Sequence, residues 1–340
     1  MTLEEFKQSC IDETENKLKI LAAYQNGNHY ECIFEDGTKI KDTINPDDDH
    51  FTYSFPTNFD FKINNRCDGG CIYCHENSTV NGAVPSLKDL IDSNFINSLH
   101  AGTEMAIGGG NIFESPDLVE FLSELKQKNI VTNVTVNQKH IKKNFDTLKM
   151  LVDKEYVHGI GISFTSRDKE DFKLISKLGN NVVIHIINGI FTPEDLPFII
   201  GRKILILGYK DLRRGHTLLQ TNKEEIEKNQ KWLKENLARL SKLTRVMSFD
   251  CLGIEQLNPK ETLNISDEQY DYIFQGEDTD VLDKDGNITC ATMYIDLPNM
   301  QVGRHSCQPI DQRKSFTIDE PIEVLFKRSV DCWVEFNGEK

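Results

Sequence analysis

Seven short apolar runs recur between residues 58 and 250, and their rhythm limits the fold more than any other feature of the chain. They are FDFKI (59–63), TEMAI (103–107), IVTNVTV (130–136), YVHGIGISF (156–164), NVVIHII (181–187), RKILIL (202–207) and TRVMSF (244–249). Their length and β-branched content read as strands. Segments with helical periodicity separate them. SLKDLIDSNFINSL opens with Ser86 as N-cap and Asp89 in its first turn, and SPDLVEFLSELKQ opens with Ser115 as N-cap and Pro116 behind it. Further helices are expected around 140–151, 168–178, 194–200 and 222–241, the last starting at a Thr221/Glu224 capping box. Strands alternating with helices imply parallel pairing through crossover helices. Six or seven such units fit a full or partial (β/α) barrel. The rival is a doubly wound open sheet, whose G-x-G-x-x-G fingerprint is absent, since GGGNIFESP does not match it.

The two ends read differently. Residues 1–21 suggest an amphipathic helix carrying Phe6, Ile11, Leu18 and Leu21. HYECIFEDGTKIKDTI then places alternating runs on either side of Asp36-Gly37, a hairpin signal, and DGNITCATMYID near Asp285 repeats it. Among 340 residues, 39 Lys+Arg against 54 Asp+Glu give a formal charge of −15. That charge weighs against an extended nucleic-acid partner, although Lys210, Arg213 and Arg214 form a local basic turn. The N-terminal stretch has no apolar secretory core, and no run of about 18 apolar residues occurs. The expectation is a cytoplasmic protein without a membrane span, in which thiols stay reduced. Nine cysteines in such a setting suggest metal rather than a disulfide framework.

In (β/α) barrels the chemistry sits at the C-terminal ends of the strands. The loop after the first strand, NNRCDGGCIYCHENS, is therefore on the working face, with Cys67, Cys71 and Cys74 in C-x3-C-x2-C spacing and His75 behind them. The same rule gathers Gly108–Asn111, Asn137, Ser163, Asn188, Gly189, Lys210 and Asp250-Cys251. Three readings of the cysteine loop compete. CIYCH is the C-x-x-C-H of haem attachment, but that leaves Cys67 unused. A structural zinc wants four ligands, and His75 adjoins Cys74 too closely to turn back onto the same ion. A [4Fe–4S] cube can take one thiolate on each of three irons and leave the fourth open. Gly69 and Gly70 allow the tight curl this needs.

C-x3-C-x2-C after the first barrel strand, with Tyr73 before the third cysteine, resembles the radical S-adenosylmethionine (radical SAM) superfamily, over about residues 58–250. The stretch PTNFDFKINNRCDGGCIYCHENST is further similar to a less characterised bacterial and phage subgroup. The resemblance implies an α/β chain with a partial (β/α)6-type barrel at 58–250, a helix and hairpin at 1–57, and an α+β extension at 251–340 that faces substrate. By the same resemblance Cys67, Cys71 and Cys74 ligate three irons of a [4Fe–4S] cluster, and S-adenosyl-L-methionine occupies the fourth. Gly108, Gly109 and Gly110 stand where the family has Gly-Gly-Glu beside the methionine group. The Glu is missing, so Asn111 or backbone carbonyls take its place. Asn137 and Ser163 match positions that reach ribose or carboxylate, and Tyr73 a position that supports adenine. Cys251 is a candidate hydrogen-atom donor. Cys290, Cys307 and Cys332 are too scattered for the dense auxiliary-cluster motif of peptide-modifying relatives.

The implied activity is reductive cleavage of S-adenosylmethionine to a 5′-deoxyadenosyl radical, which abstracts a hydrogen from a peptide or protein. An electron donor such as flavodoxin or ferredoxin is implied as partner. Modification of a nucleotide or nucleobase, and a zinc-stabilised binding protein without catalysis, are the alternatives.

Overall fold

The computed structural model describes residues 1–15, 17–35, 37–274 and 281–338. Three strands near the N-terminus, β1 (Ile20–Asn26), β2 (His29–Phe34) and β3 (Lys39–Thr43), form an antiparallel sheet in the order β1-β2-β3. The Leu3–Glu13 helix packs on it through Phe6 and Cys10, against Tyr30, Cys32 and Phe34. This helix stops well before residue 21: Thr14 caps it, and Ile20 already belongs to β1. The β2–β3 hairpin turns at Gly37, with φ +91, and the expected Asp36 lies outside the described residues.

Seven parallel strands follow the predicted runs closely. They are β4 (Asn58–Asn64), β5 (Glu104–Gly109), β6 (Val131–Asn137), β7 (Gly159–Ser163), β8 (Val182–Ile187), β9 (Lys203–Leu207) and β10 (Val246–Phe249). Then β11 (Thr292–Asp296) pairs parallel with β4, and β12 (Gln301–Gly303) and β13 (Lys314–Ser315) continue antiparallel. The ten strands lie in the order β10-β9-β8-β7-β6-β5-β4-β11-β12-β13. With helices between its parallel strands, this sheet is the partial (β/α) barrel expected from the sequence. The second hairpin signal forms only a bridge, Leu282 to Ile288, turning at Gly286.

Successive strand residues point to opposite faces, and β4 shows the consequence. Phe59, Phe61 and Ile63 are buried toward the helices, with the Phe61 ring centroid 5.8 Å from Phe95 and 6.3 Å from Phe121. Asp60, Lys62 and Asn64 take the other face. Parallel register carries that face to Ala106 and Gly108, to Asn133, Thr135 and Asn137, to Gly159, Gly161 and Ser163, and to His185. A closed barrel is filled by Val, Ile and Leu in layers. Here glycines and polar residues replace them, and Asp60 and Ala106 stay solvent-accessible. The lumen is therefore polar and open.

Helix starts moved more than strands did. The Leu118–Gln127 helix begins after Asp117 rather than at Ser115. Ser86 does accept a hydrogen bond from Asp89 N, but the segment forms two single turns, Lys88–Ile91 and Asn94–Asn97. The Arg214–Leu243 helix runs 30 residues and breaks its regular dihedrals at Asn222, where the capping signal was read.

Candidate active site

The loop leaving β4 folds back on itself. Asn65 N donates to Ala83 O at 2.8 Å, and Cys67 N to Thr79 O at 2.9 Å. Gly69 N donates to Cys67 Sγ at 3.3 Å. A Cβ on Gly69 would stand 3.2 Å from that sulfur, and Gly70 sits at φ +62, so both positions favour glycine. The thiols face neighbouring strand ends. Asn137 Nδ2 lies 3.3 Å from Cys71 Sγ, and His140 Nε2 lies 3.5 Å from Cys67 Sγ. Burial pushes the Cys67 thiol up, and negative charge on Cys71 and Cys74 adds to this, against a favourable Gly69 N–H. Tyr73 is raised by burial first and by Cys71 second.

The spacing of the sulfurs separates two ion chemistries. Three sulfurs on one tetrahedral zinc, at about 2.3 Å each, stand roughly 3.8 Å apart. Among the described residues only Cys67, Asp68 and His140 bring three metal-ligating atoms within 4.8 Å of one another. The sulfurs of Cys67, Cys71 and Cys74 do not all lie within 4.8 Å of one another. That spread, with three thiols in one curled loop, fits a multi-iron cluster.

Four cations hold the loop from outside. Arg214 donates to Cys71 O at 3.1 Å, to Asn77 Oδ1 at 3.1 Å and to Ser78 O; Arg213 donates to His75 O. Lys139 Nζ reaches Gly69 O at 2.7 Å, and Arg66 Nε reaches Gly82 O at 3.3 Å. Arg213 is held at φ +50, ψ −117, a conformation that side-chain-bearing residues adopt only under strain. The basic turn read from the sequence is thus largely a clamp on the cysteine loop. Lys210 alone turns inward, 2.9 Å from Ser306 Oγ and 3.4 Å from His75 Nε2.

Beneath the loop lies a buried ionic network. Lys62 Nζ meets Glu76 at 2.6 Å and Asp296 at 3.3 Å, and Asp296 meets Arg313 at 3.0 Å. Tyr294 OH reaches Glu76 at 3.3 Å, and the Arg313 guanidinium lies 4.6 Å from the Tyr294 ring centroid. Burial alone would raise the Glu76 carboxyl; His75 and Lys62 outweigh it and hold Glu76 well below the carboxylate range. His75 itself is lowered by burial and by Lys210. Toward the lumen, the surrounding strands partly desolvate Asp60 and raise it although its side chain stays accessible to solvent, and burial raises Asp250 against the N–H groups of Gly208 and Gly253. Burial lowers His185 to about 4.

The expected glycines divide into two kinds. A Cβ on Gly109 would lie 2.5 Å from Asn64 O, and one on Gly110 2.2 Å from Arg66 O. Both admit the backbone of the cysteine loop. Gly108 instead faces open space, its nearest neighbour being Thr135 at 4.0 Å. Asn111 is buried, and its side chain serves its own turn, accepting from Phe113 N at 3.3 Å. Asn137 reaches Cys71, as above. Ser163 ends β7 on the lumen face, beside a cavity of about 300 Å3 lined by Tyr73, Phe164–Arg167, Ile186, Ile187, Ile190–Thr192 and Asp195. Cys251 is exposed at the start of the Cys251–Leu257 helix, after the edge strand β10. Cys290 and Cys332 are buried, Cys307 is half-buried, and none of them joins a close ligand group among the described residues. His140, Glu76, Lys62, Asp296 and Arg313 went unnoticed in the sequence. Only Arg213 and Arg214 carried a signal, and it was read as a local basic turn.

A parallel β/α sheet with a cysteine loop on its first parallel strand is a fold this chain shares with solved structures. Among solved structures, the chain is similar to Streptococcus suis SuiB bound to S-adenosylmethionine, with TM-score 0.52 and 16% identity over 85% of this chain and 68% of that one. SuiB bound to its precursor peptide SuiA matches with TM-score 0.52 and 15% identity, over 98% of this chain and 77% of that one. No family model matches the sequence, and no curated protein does. No helix among the described residues is long and apolar enough to cross a membrane.

Proposed function

We propose that this chain is a radical SAM enzyme that modifies a peptide or protein. The observation that carries the proposal is the cysteine loop: three thiols in C-x3-C-x2-C spacing at the C-terminal end of the first barrel strand. Cys67, Cys71 and Cys74 would hold a [4Fe–4S] cluster. When bound, the cluster supplies the electron that cleaves S-adenosylmethionine to the 5′-deoxyadenosyl radical, which takes a hydrogen atom from the substrate.

The chain's own residues orient and shield that chemistry. Asn137 donates toward Cys71 Sγ and helps to orient it. Gly108 leaves room for a ligand to approach β5. Tyr73 connects the cysteine loop to the cavity beside Ser163, which has apolar walls and a polar rim suited to an adenosine. Gly109, Gly110 and Asn111 act earlier in the chain of causes, by fixing the loop against β5. Cys251 stands as the candidate hydrogen-atom donor at the far end of the sheet. Flavodoxin or ferredoxin would supply the electron.

A peptide is favoured over a nucleotide by the likeness to SuiB solved with its precursor peptide. The sheet β1-β2-β3 adds to this, since among the described residues β1 and β3 each pair on one side only. An extended peptide can join such an edge. The test is anaerobic reconstitution with iron and sulfide, followed by dithionite and S-adenosylmethionine. About four irons per chain and release of 5′-deoxyadenosine are expected. A colourless protein that retains zinc and leaves S-adenosylmethionine intact would return the chain to the binding-protein alternative.

A further inference from the structure

The turn that leaves β6, residues 137–140, offers an N–H donor to two of the three cysteine sulfurs. Asn137 Nδ2 lies 3.3 Å from Cys71 Sγ, and His140 Nε2 lies 3.5 Å from Cys67 Sγ. Both donors are fixed by contacts outside the cysteine loop. Asn137 Oδ1 accepts from Lys139 N at 3.0 Å and from Thr165 Oγ1 at 3.3 Å. Only the amide oxygen can accept, so the nitrogen is the end turned to sulfur. Gln138, buried between the two, pins the turn to the loop after β7. Its oxygen accepts from Thr165 N and Ser166 N, and its nitrogen donates to Ser166 O and Asp171 Oδ2. His140 is 5% exposed. Its other ring nitrogen lies 3.5 Å from Asp68 Oδ1, outside the ordinary N–H···O range, and Asp68 is open to water. The ring can therefore carry its proton on Nε2, toward Cys67. Gly69 N also donates to Cys67 and Tyr73 neighbours Cys71, but both belong to the cysteine loop itself. Among the described residues no N–H reaches Cys74 Sγ.

We infer that Asn137 and His140 are positioning residues that set the reduction potential of the cluster held by the cysteine loop. The inference rests on the proposed radical SAM reading. A hydrogen bond into a ligating sulfur stabilises the reduced, more negative state of an iron–sulfur cluster more than the oxidised one, and so raises its potential. A prearranged donor needs little reorganisation as charge builds up, and burial around His140 strengthens its effect. Gain of one electron is eased with no bond made or broken. The clamping cations grip the backbone of the loop. Among the described residues, Asn137 and His140 are the side chains from other elements that reach its sulfurs.

The test is a redox titration of reconstituted holoprotein, followed by electron paramagnetic resonance without S-adenosylmethionine. His140→Leu and His140→Met remove the ring donor, and His140→Gln keeps an amide N–H. Asn137→Ala removes the second donor at a half-buried position, so it stands as an independent arm if the His140 variants do not fold. Each donor-free variant should lower the equilibrium constant for reduction by about tenfold, about 59 mV for a one-electron couple. His140→Gln should stay within about threefold of wild type, half that shift in potential. Iron content should match wild type in all four. Donor-free variants that also stay within about threefold of wild type would overturn the inference. So would loss of iron from them, which would make these side chains ligands or scaffold instead. Failure of the radical SAM reading looks different: a cluster that shows the expected shifts yet leaves S-adenosylmethionine intact. A protein that assembles no cluster at all would overturn both.

Discussion

The two flanks of the parallel sheet are built to different standards. At β4, neighbours lie on both sides, glycines at 109 and 110 let the cysteine loop close to contact distance, and Lys62, Glu76, Asp296 and Arg313 are buried as an ionic network. At β10 the sheet simply ends. That strand has four residues, Val246 is 48% exposed, and Cys251 follows it into solvent. Both ends carry a cysteine at the C-terminal tip of a strand. The cysteine loop after β4 is held by side chains from several other elements. Proximity to a barrel's working face is thus a weaker guide to chemistry than the number of elements committed to holding a residue in place.

The sharpest break in that comparison is Cys71→Ala, which should abolish cluster assembly as read by iron content and visible absorption. Next comes Lys62→Met. Removing one partner from a buried ion pair typically costs about 3–5 kcal/mol, because Glu76 and Asp296 would keep their charges with less compensation. Urea denaturation should show a loss of that order. Arg214→Ala removes contacts to the loop's carbonyls. One charged hydrogen bond is worth about 1.5–3 kcal/mol, enough to speed iron loss to a chelator by roughly tenfold or more.

A pH series reads the lumen. Burial lowers His185 from 6.5 to about 4, so the unfolded chain binds its proton first as acid is added. The stability linked to His185 is therefore complete above about 6.5 and is lost as pH falls toward about 4. His185→Gln should flatten that part of the melting-temperature profile; an unchanged slope would place the acid sensitivity elsewhere. Cys251→Ala should do least, with stability within about 0.5 kcal/mol of wild type and cofactor cleavage intact. Loss of the cluster in that variant would erase the distinction between the two flanks.

Strands and the cysteine loop were legible in the sequence because each depends on local pattern. β-branched runs marked all seven parallel strands to within about three residues, a usual margin for element ends. Helix starts were less legible. Ser115 and Thr221 have the chemistry of caps, yet one helix starts later, at Leu118, and the other already at Arg214, with Thr221 inside it. β11 lies within the run DGNITCATMYID, but its pairing was hidden for a different reason: its partner β4 is over 200 residues away, and no local signal encodes a long-range parallel pair. The same holds for the ionic network, whose members come from the cysteine loop and from residues 296 and 313. Asn111 shows the limit of position. It sits where an acceptor for the cofactor was expected, and its amide is engaged with Phe113 N.

The central claim is that three thiols hold a cluster with one iron left open for S-adenosylmethionine. Electron paramagnetic resonance of the dithionite-reduced holoprotein tests it most directly. The account predicts a reduced [4Fe–4S] signal whose shape changes when S-adenosylmethionine is added, and which vanishes in Cys67→Ala, Cys71→Ala and Cys74→Ala. A signal indifferent to S-adenosylmethionine, or one that survives loss of any of the three cysteines, would contradict it.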